Sequence, residues 1–273
     1  MTTDQEEFLR TFHAAHPAVT TQAMAHGRAE DGRSGYRILR DRVAGCERVL
    51  DLGCGDGLLL ELLAARDGGA PRVLAGLDLS AEELALARRR PGVGRADLRV
   101  GRAQQLPFQD GWFDGCVSHM ALMLMGEAEQ VAAELARVLE PGGTLTAVLG
   151  GGAAGGEACE LFLRLAKPLF LAVPEGQRIP RLGDRRLRTR EGFDAVFCPA
   201  GFGPAEWETV AIDLTGPPEQ VWRTVAAYYD AGPLEASAMA ELRARLEAES
   251  VALALPDGRI PCGMRMHVAT AVR

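Results

Sequence analysis

An α/β fold with a mostly parallel sheet is what this 273-residue chain predicts, and three stretches predict it. Val49-Leu50-Asp51-Leu52 reads as a buried parallel strand, apolar around one acid, and Gly53-Cys54-Gly55-Asp56-Gly57 follows as a turn whose alternate glycines let the backbone approach something closely. Residues 58–65 are rich in strong helix formers, so the turn opens a helix. A second apolar run, residues 72–78, ends in Asp78, and Pro141-Gly142-Gly143 separates a helical pattern from the strand-like run 144–149. Strand, glycine turn and helix N-terminus in series should aim main-chain N–H groups and the positive end of a helix dipole at a ligand carrying anionic or acceptor groups.

The run Val49-Leu50-Asp51-Leu52-Gly53-Cys54-Gly55-Asp56-Gly57 resembles the first motif of the class I S-adenosylmethionine-dependent methyltransferases of the small-molecule type, in which a GxGxG turn cradles the methionine end of the cofactor. The competing pattern is GxGxxG or GxGxxA of nicotinamide and flavin sites. Here Gly57 comes one place too early for it, and Leu58 stands where the third small residue is needed. The resemblance implies a Rossmann-like class I methyltransferase fold: a seven-stranded, mostly parallel sheet with an antiparallel last strand beside the fifth, plus a helical cap. It divides the chain into an N-terminal helical cap, residues 1–45, and a methyltransferase domain, residues 46–273, with helical insertions at about 151–188 and 215–260.

Taken in order, residues 5–26 predict two short helices broken at Pro17, and Ser34 is placed to cap a helix over 36–43. Asp78 lies where an adenosyl or dinucleotide site needs a carboxylate for ribose hydroxyls. Ser80 begins the next helix, and Glu83 three residues on completes a capping box, a local role for both. A third strand near 96–100 leads to Gly101-Arg102-Ala103-Gln104-Gln105-Leu106-Pro107-Phe108, similar to the family segment that flanks adenine. Relatives commonly place an Asp where this chain has Arg102, a donor-only side chain. Adenine would then be held by the main chain at Ala103, by an amide of Gln104 or Gln105, or by stacking on Arg102. The resemblance also assigns Tyr36, Asp51, Gly53, Cys54, Gly55, Gly57, Leu79 and Ser118 to the cofactor site.

The fourth strand, residues 115–118, runs into His119-Met120-Ala121-Leu122-Met123-Leu124-Met125, which puts His119 at a strand's carboxyl end, where open parallel sheets bind ligands. The methionines suit an adaptable apolar pocket. A helix over 127–139 and the strand 144–149 follow, and Gly150 to Gly156 reads as a flexible exit, lacking the GK[ST] ending of a phosphate loop. Then come an apolar helix over 157–173, a basic loop over 178–190, a helix over 191–200, a sixth strand over 207–214, helices over 221–229 and 234–252, and a seventh strand over 264–272. The long insertion must pack somewhere, and the substrate mouth is the expected place. Phe12, His13, Met24, His119, Met120, Met123, Tyr228 and Tyr229 are the expected substrate-pocket residues.

Composition narrows the function. A net charge of -7 argues against a nucleic-acid backbone as substrate. Six scattered cysteines with no CxxC pair and no ligand-like spacing to His give no reason to expect a disulfide framework or a metal site. The acidic, polar start and the lack of a long apolar run predict a cytoplasmic protein with no membrane partner, monomeric or homodimeric. Methyl transfer from a sulfonium is an in-line displacement that needs positioning, and a general base only where the acceptor is protonated. His119 is the base candidate by position, with His13, His16 and His26 behind it. The leading expectation is an S-adenosylmethionine-dependent enzyme that methylates an O, N or C atom of a small molecule, a secondary metabolite for example, and releases S-adenosylhomocysteine. The alternatives are a protein of the same fold that catalyses another reaction such as a cyclisation, or only binds the cofactor, and a dinucleotide oxidoreductase.

Overall fold

In the computed structural model, which describes residues 3–66, 68–155 and 157–273, the chain opens with helices α1 (Asp4–Ala15), α2 (Val19–Met24) and α3 (Gly35–Arg42). There follow β1 (Arg48–Leu52), α4 (Leu58–Ala64), β2 (Val73–Asp78), α5 (Ala81–Ala87), β3 (Asp97–Val100), β4 (Phe113–His119), α6 (Ala128–Val138) and β5 (Leu139–Ala153). The remainder is α7 (Ala158–Ala172), α8 (Arg190–Phe197), β6 (Glu206–Asp213), α9 (Pro218–Ala226), α10 (Ala236–Ser250) and β7 (Gly263–Val272).

The strands form one sheet in the order β3-β2-β1-β4-β5-β7-β6. β1 lies parallel to both β2 and β4, while β7 runs antiparallel between β5 and β6. This is the expected Rossmann-like sheet with its reversed last strand. Because the chain turns outward from β1 to β2 in one direction and to β4 in the other, a crevice opens at the carboxyl ends of β1, β2 and β4. Helices cover both faces, so the central strands are apolar throughout: Leu50, Leu52, Cys116 and Val117 are fully buried. One face packs on Val131, Leu135, Phe193 and Phe197, and the other on Leu39, Leu63 and Phe162.

Local chemistry sets the helix ends. Ser34 accepts a hydrogen bond from the Arg37 N–H and caps α3, as expected. Thr3 and Glu6 make a reciprocal capping box at the start of α1. Pro17 separates α1 from α2, and Ala18 takes a left-handed conformation at the join (φ 62°). Helix α3 packs against α4, β4 and β5, α1 packs on α5, and α2 on α9.

Three sequence expectations are corrected here. Pro141-Gly142-Gly143 ends no separate turn: Leu139 already pairs with Phe113, and the three residues form an irregularity inside β5, with Gly142 at φ 85°, before Thr144 pairs with Gly115. The glycine run does not leave the sheet at residue 150, because β7 offers backbone partners to Gly150 and Ala153 through Met266 and Met264; its last residue, Gly156, lies outside the described residues. The helix expected over 221–229 starts at Pro218, which suits a first-turn proline, and ends at Ala226, leaving Tyr229 in a separate 3-10 turn. The basic stretch 178–190 carries local pairs, such as Arg186 with Asp184 and Glu129. Among the described residues no helix is long and apolar enough to cross a membrane.

Candidate active site

Two adjoining chambers fill the crevice. The first lies between the end of β2, the segment after β3 and α1, and is lined by Gln5, Glu6, Leu9, Asp78, Leu79, Ala103 and Gln104. The second lies between the ends of β1 and β4, α2 and α3, and is lined by Thr21, Tyr36, Asp51, Cys54, Gly55, His119, Met120 and Tyr229. His13, Gly53, Asp78, Ala121 and Leu124 border both, so the two form one elongated cleft.

The glycine turn is required by close packing. A Cβ on Gly53 (φ 73°) would overlap the Ala121 methyl, and one on Gly57 (φ 80°) would come 2.7 Å from that of Ala87. Four of its N–H groups are engaged within the protein rather than left for a ligand: Gly53 and Cys54 donate to the Leu77 carbonyl, Gly55 to Asp78 Oδ2 at 2.8 Å and Gly57 to the Cys54 carbonyl. The turn is tied to the end of β2 instead. The Asp78 carboxylate also accepts from the Ser80 N–H at 2.9 Å, which fixes it at the cleft with lone pairs to spare. Burial raises its pKa, against the lowering effect of these two N–H groups.

Asp51 is the one acid of the cleft with a buried oxygen left unpartnered, among the described residues. It is 1% exposed, its Oδ2 has no hydrogen-bond partner, and burial followed by the nearby Asp78 and Asp56 carboxylates pushes its pKa well above the usual range. Asp56 is engaged: Thr21 Oγ1 donates to it at 2.6 Å and Arg90 pairs with its other oxygen. His119 stacks on Tyr36 with ring centroids 3.7 Å apart, and both its ring nitrogens lack partners. Burial lowers its pKa to about 3. For the general base expected at His119, this burial makes the ring a weaker base, and neither ring nitrogen has a protein partner to pass a proton on to.

Sequence reasoning left Glu83 to helix capping, and the structure gives it another task. Its side chain leaves the Ser80 N–H to Asp78 and reaches across to α1, where Oε1 meets His13 Nδ1 at 3.0 Å and both oxygens accept from the Ala18 N–H. His13 Nε2 meets the Tyr229 hydroxyl at 3.0 Å. Glu83, His13 and Tyr229 thus form a chain along the cleft, joining three elements distant in sequence. The only sequence signal was a buried acid on a short helix beside Asp78.

A methyltransferase-domain family model matches residues 50–147, which hold the glycine turn, Asp78 and β4. The chain is 34% identical over 234 residues to trans-aconitate 2-methyltransferase of Methylobacterium nodulans, covering 82% of this chain and 85% of that protein. This chain belongs to the class I S-adenosylmethionine-dependent methyltransferases. It is also 36% identical over 101 residues to demethylmenaquinone methyltransferase of Symbiobacterium thermophilum, where the match covers 36% of this chain. That match spans 40% of the relative's length, and the first curated relatives are all matched over less than half of theirs. Among solved structures, the [4+2]-cyclase SpnF is similar in fold, with a TM-score of 0.57 at 20% identity, over 97% of this chain and 94% of that one.

In this methyltransferase the cleft gathers Tyr36, Asp51, Gly53, Cys54, Gly55, Asp78, Leu79, Ala103 and Gln104 from the expected cofactor set, and His13, His119, Met120 and Tyr229 from the expected pocket set. The others lie elsewhere. Gly57 packs on α5. Arg102 is not among the residues lining the cleft and pairs with Glu6 at 2.8 Å and Glu127 at 3.2 Å, which ties α1 to the segment after β3. Ser118 donates to the Leu52 carbonyl and accepts from the Leu122 N–H, bracing the turn after β4. Phe12 stacks among Phe8, His16 and Tyr229, outside the cleft. Met24 is core, Met123 turns its sulfur to the Gly150 N–H, and the Tyr228 hydroxyl lies against Cys159 Sγ at 3.1 Å.

Proposed function

We propose that this enzyme transfers the methyl group of S-adenosylmethionine to an O, N or C atom of a small molecule and releases S-adenosylhomocysteine. The observation that carries the reading is the unpaired, buried Asp51 oxygen in a cleft that also presents Asp78. A buried carboxylate without a partner is costly, and a ligand ammonium would satisfy it. Asp51 would hold the amino group of the methionyl end, Asp78 would accept from ribose hydroxyls, and Ala103 with Gln104 would border adenine. Gln104 is itself positioned by donating to the Gly126 carbonyl at 2.8 Å. When bound, the cofactor supplies an electrophilic methyl on a sulfonium. Helices α1 and α2 with the 3-10 turn at Tyr229 act as the cap that excludes water, and a secondary metabolite handled in the cytoplasm fits such a closed, mixed-polarity chamber.

Calorimetric titration with S-adenosylmethionine, S-adenosylhomocysteine and NAD in parallel tests this. Binding of the two adenosyl ligands alone supports the proposal, and silence from both would overturn it. The likeness to a cyclase motivates one further control: a labelled methyl that stays on the cofactor during substrate turnover would favour the non-methylating alternative.

A further inference from the structure

The cleft carries five carboxylates, Glu6, Asp51, Asp56, Asp78 and Glu83, and among the described residues lining its two chambers none is Lys or Arg. Four of the five are occupied within the protein: Glu6 by Arg102, Asp56 by Thr21 and Arg90, Asp78 by the Gly55 and Ser80 N–H groups, and Glu83 by His13 and the Ala18 N–H. The fifth, Asp51, is the one the methyl donor's ammonium would take. An anionic acceptor would find no Lys or Arg lining the cleft to pair with, and a cationic one would find the carboxylates already engaged. What remains is an uncharged acceptor.

The second observation concerns protons. A carboxylate acceptor is already ionised and needs no base, but a hydroxyl must lose its proton as the new bond forms. Tyr229 lines the second chamber with its hydroxyl 3.0 Å from His13 Nε2, and His13 Nδ1 is 3.0 Å from Glu83. Both Glu83 oxygens already accept from the Ala18 N–H, so Glu83 serves as the acceptor and the His13 proton belongs on Nδ1, leaving Nε2 free to accept. His13 is about one-fifth exposed, so the chain runs from the chamber to solvent. Besides Tyr229 and Glu83, Asp78 at the end of β2 acts on His13 electrostatically. His119, without any relay partner, cannot offer this route.

We propose that Tyr229, His13 and Glu83 form the proton exit of the methyl transfer and that the acceptor is an uncharged, hydroxyl-bearing molecule. The inference rests on the methyltransferase reading above. In the step, the acceptor oxygen passes its proton to the Tyr229 oxygen as Tyr229 gives its own to His13 Nε2. The acceptor's electron pair forms the new C–O bond, and the S–C bond breaks with its pair returning to sulfur, leaving a neutral thioether. His13, with Nδ1 on Glu83, then releases the proton to water. Tyr229 is the catalytic residue here, and His13 and Glu83 are positioning residues. Burial and the neighbouring Asp78 and Glu83 raise the phenol's pKa, so it stays protonated and works only by exchange with His13.

Two measurements on the full chain test this. Nitrogen NMR of labelled imidazoles, with and without S-adenosylhomocysteine, should find the His13 proton on Nδ1, and Glu83→Gln should erode that preference. A proton found on Nε2 overturns the relay, whatever acceptor is later identified. A matched set of 3-phenylpropanol, 3-phenylpropionate and 3-phenylpropylamine, with trans-aconitate, should then give labelled methyl product from the alcohol ahead of the rest. Faster methylation of either carboxylate or of the amine overturns the acceptor class. Where the alcohol turns over, Tyr229→Phe lowers kcat by about 10²-fold while the KM for S-adenosylmethionine stays in place, and Glu83→Asp restores part of what Glu83→Gln loses. Unchanged kcat in Tyr229→Phe overturns the catalytic assignment. Failure to bind S-adenosylhomocysteine strikes the methyltransferase reading instead, and the tautomer in the free protein still decides the relay.

Discussion

Asp51→Asn should make the protein more stable and the enzyme worse at holding its methyl donor. In the free protein the carboxylate is 1% exposed, one oxygen is unpaired, and Asp78 and Asp56 add repulsion. Leaving a buried polar group unsatisfied costs about 1–3 kcal/mol, more when charged, so the neutral amide should gain at least about 1 kcal/mol in the free protein. At this size that raises the melting temperature by about 2–4 °C per kcal/mol. The gain has a pH signature. A carboxyl whose folded pKa is raised contributes stability below its unfolded value of 3.8, and that contribution is lost as the pH rises through the higher folded value. The variant's advantage should therefore be largest near pH 8 and shrink on acidification. Binding moves the other way: losing a charged partner for the ligand ammonium costs about 1.5–3 kcal/mol, or about 10- to 150-fold in Kd for S-adenosylhomocysteine. Urea denaturation at pH 8 and pH 5, with calorimetry on the same samples, reads both. A variant that binds as tightly as the parent and is less stable at pH 8 would refute the assignment, since Asp51 would then be satisfied by the protein itself.

Gly53→Ala should destabilise the fold by about 1–3 kcal/mol in urea denaturation, because it forces a side chain into a left-handed φ of 73° and against the Ala121 methyl. Arg102→Ala strands the buried Glu6 carboxylate and should loosen α1, seen as faster amide exchange in residues 4–15 while the α6 amides keep their protection. His119→Asn should remove an acid-sensitive element: between pH 6.5 and about 3 the unfolded chain binds a proton that the buried imidazole refuses. Parent stability should thus fall by about 1.4 kcal/mol per pH unit relative to the variant from pH 6 to pH 5, and parallel curves would show the ring to be solvated.

The readable parts of the sequence were those whose physics is local. The alternate glycines at 53, 55 and 57, the strand ending at Asp78 and the apolar runs at β1 and β4 each declare a backbone requirement within a few residues, and the sheet follows from connecting them. Ser34 capped its helix for the same reason. Three groups have partners that local reading does not name. Arg102, examined as an adenine contact, is drawn away by Glu6, which lies 96 positions earlier in the chain. Ser118 sits at the end of β4 with its hydroxyl turned back to β1. Glu83 fitted a capping box because Ser80 and Glu83 have the right spacing, yet Asp78 takes the Ser80 N–H and frees Glu83 for His13.

Sequence alone determined the fold family, the place of the cleft and the carboxylates at its two strand ends, because glycine conformation and strand burial are written in consecutive residues. Only the tertiary structure decided which side chains face the cleft and in what state. Residues 13, 83 and 229 become one hydrogen-bonded chain by the packing of α1, α5 and the turn after α9, and the burial that leaves Asp51 Oδ2 and both His119 ring nitrogens unpaired arises when elements far apart in the chain exclude water together.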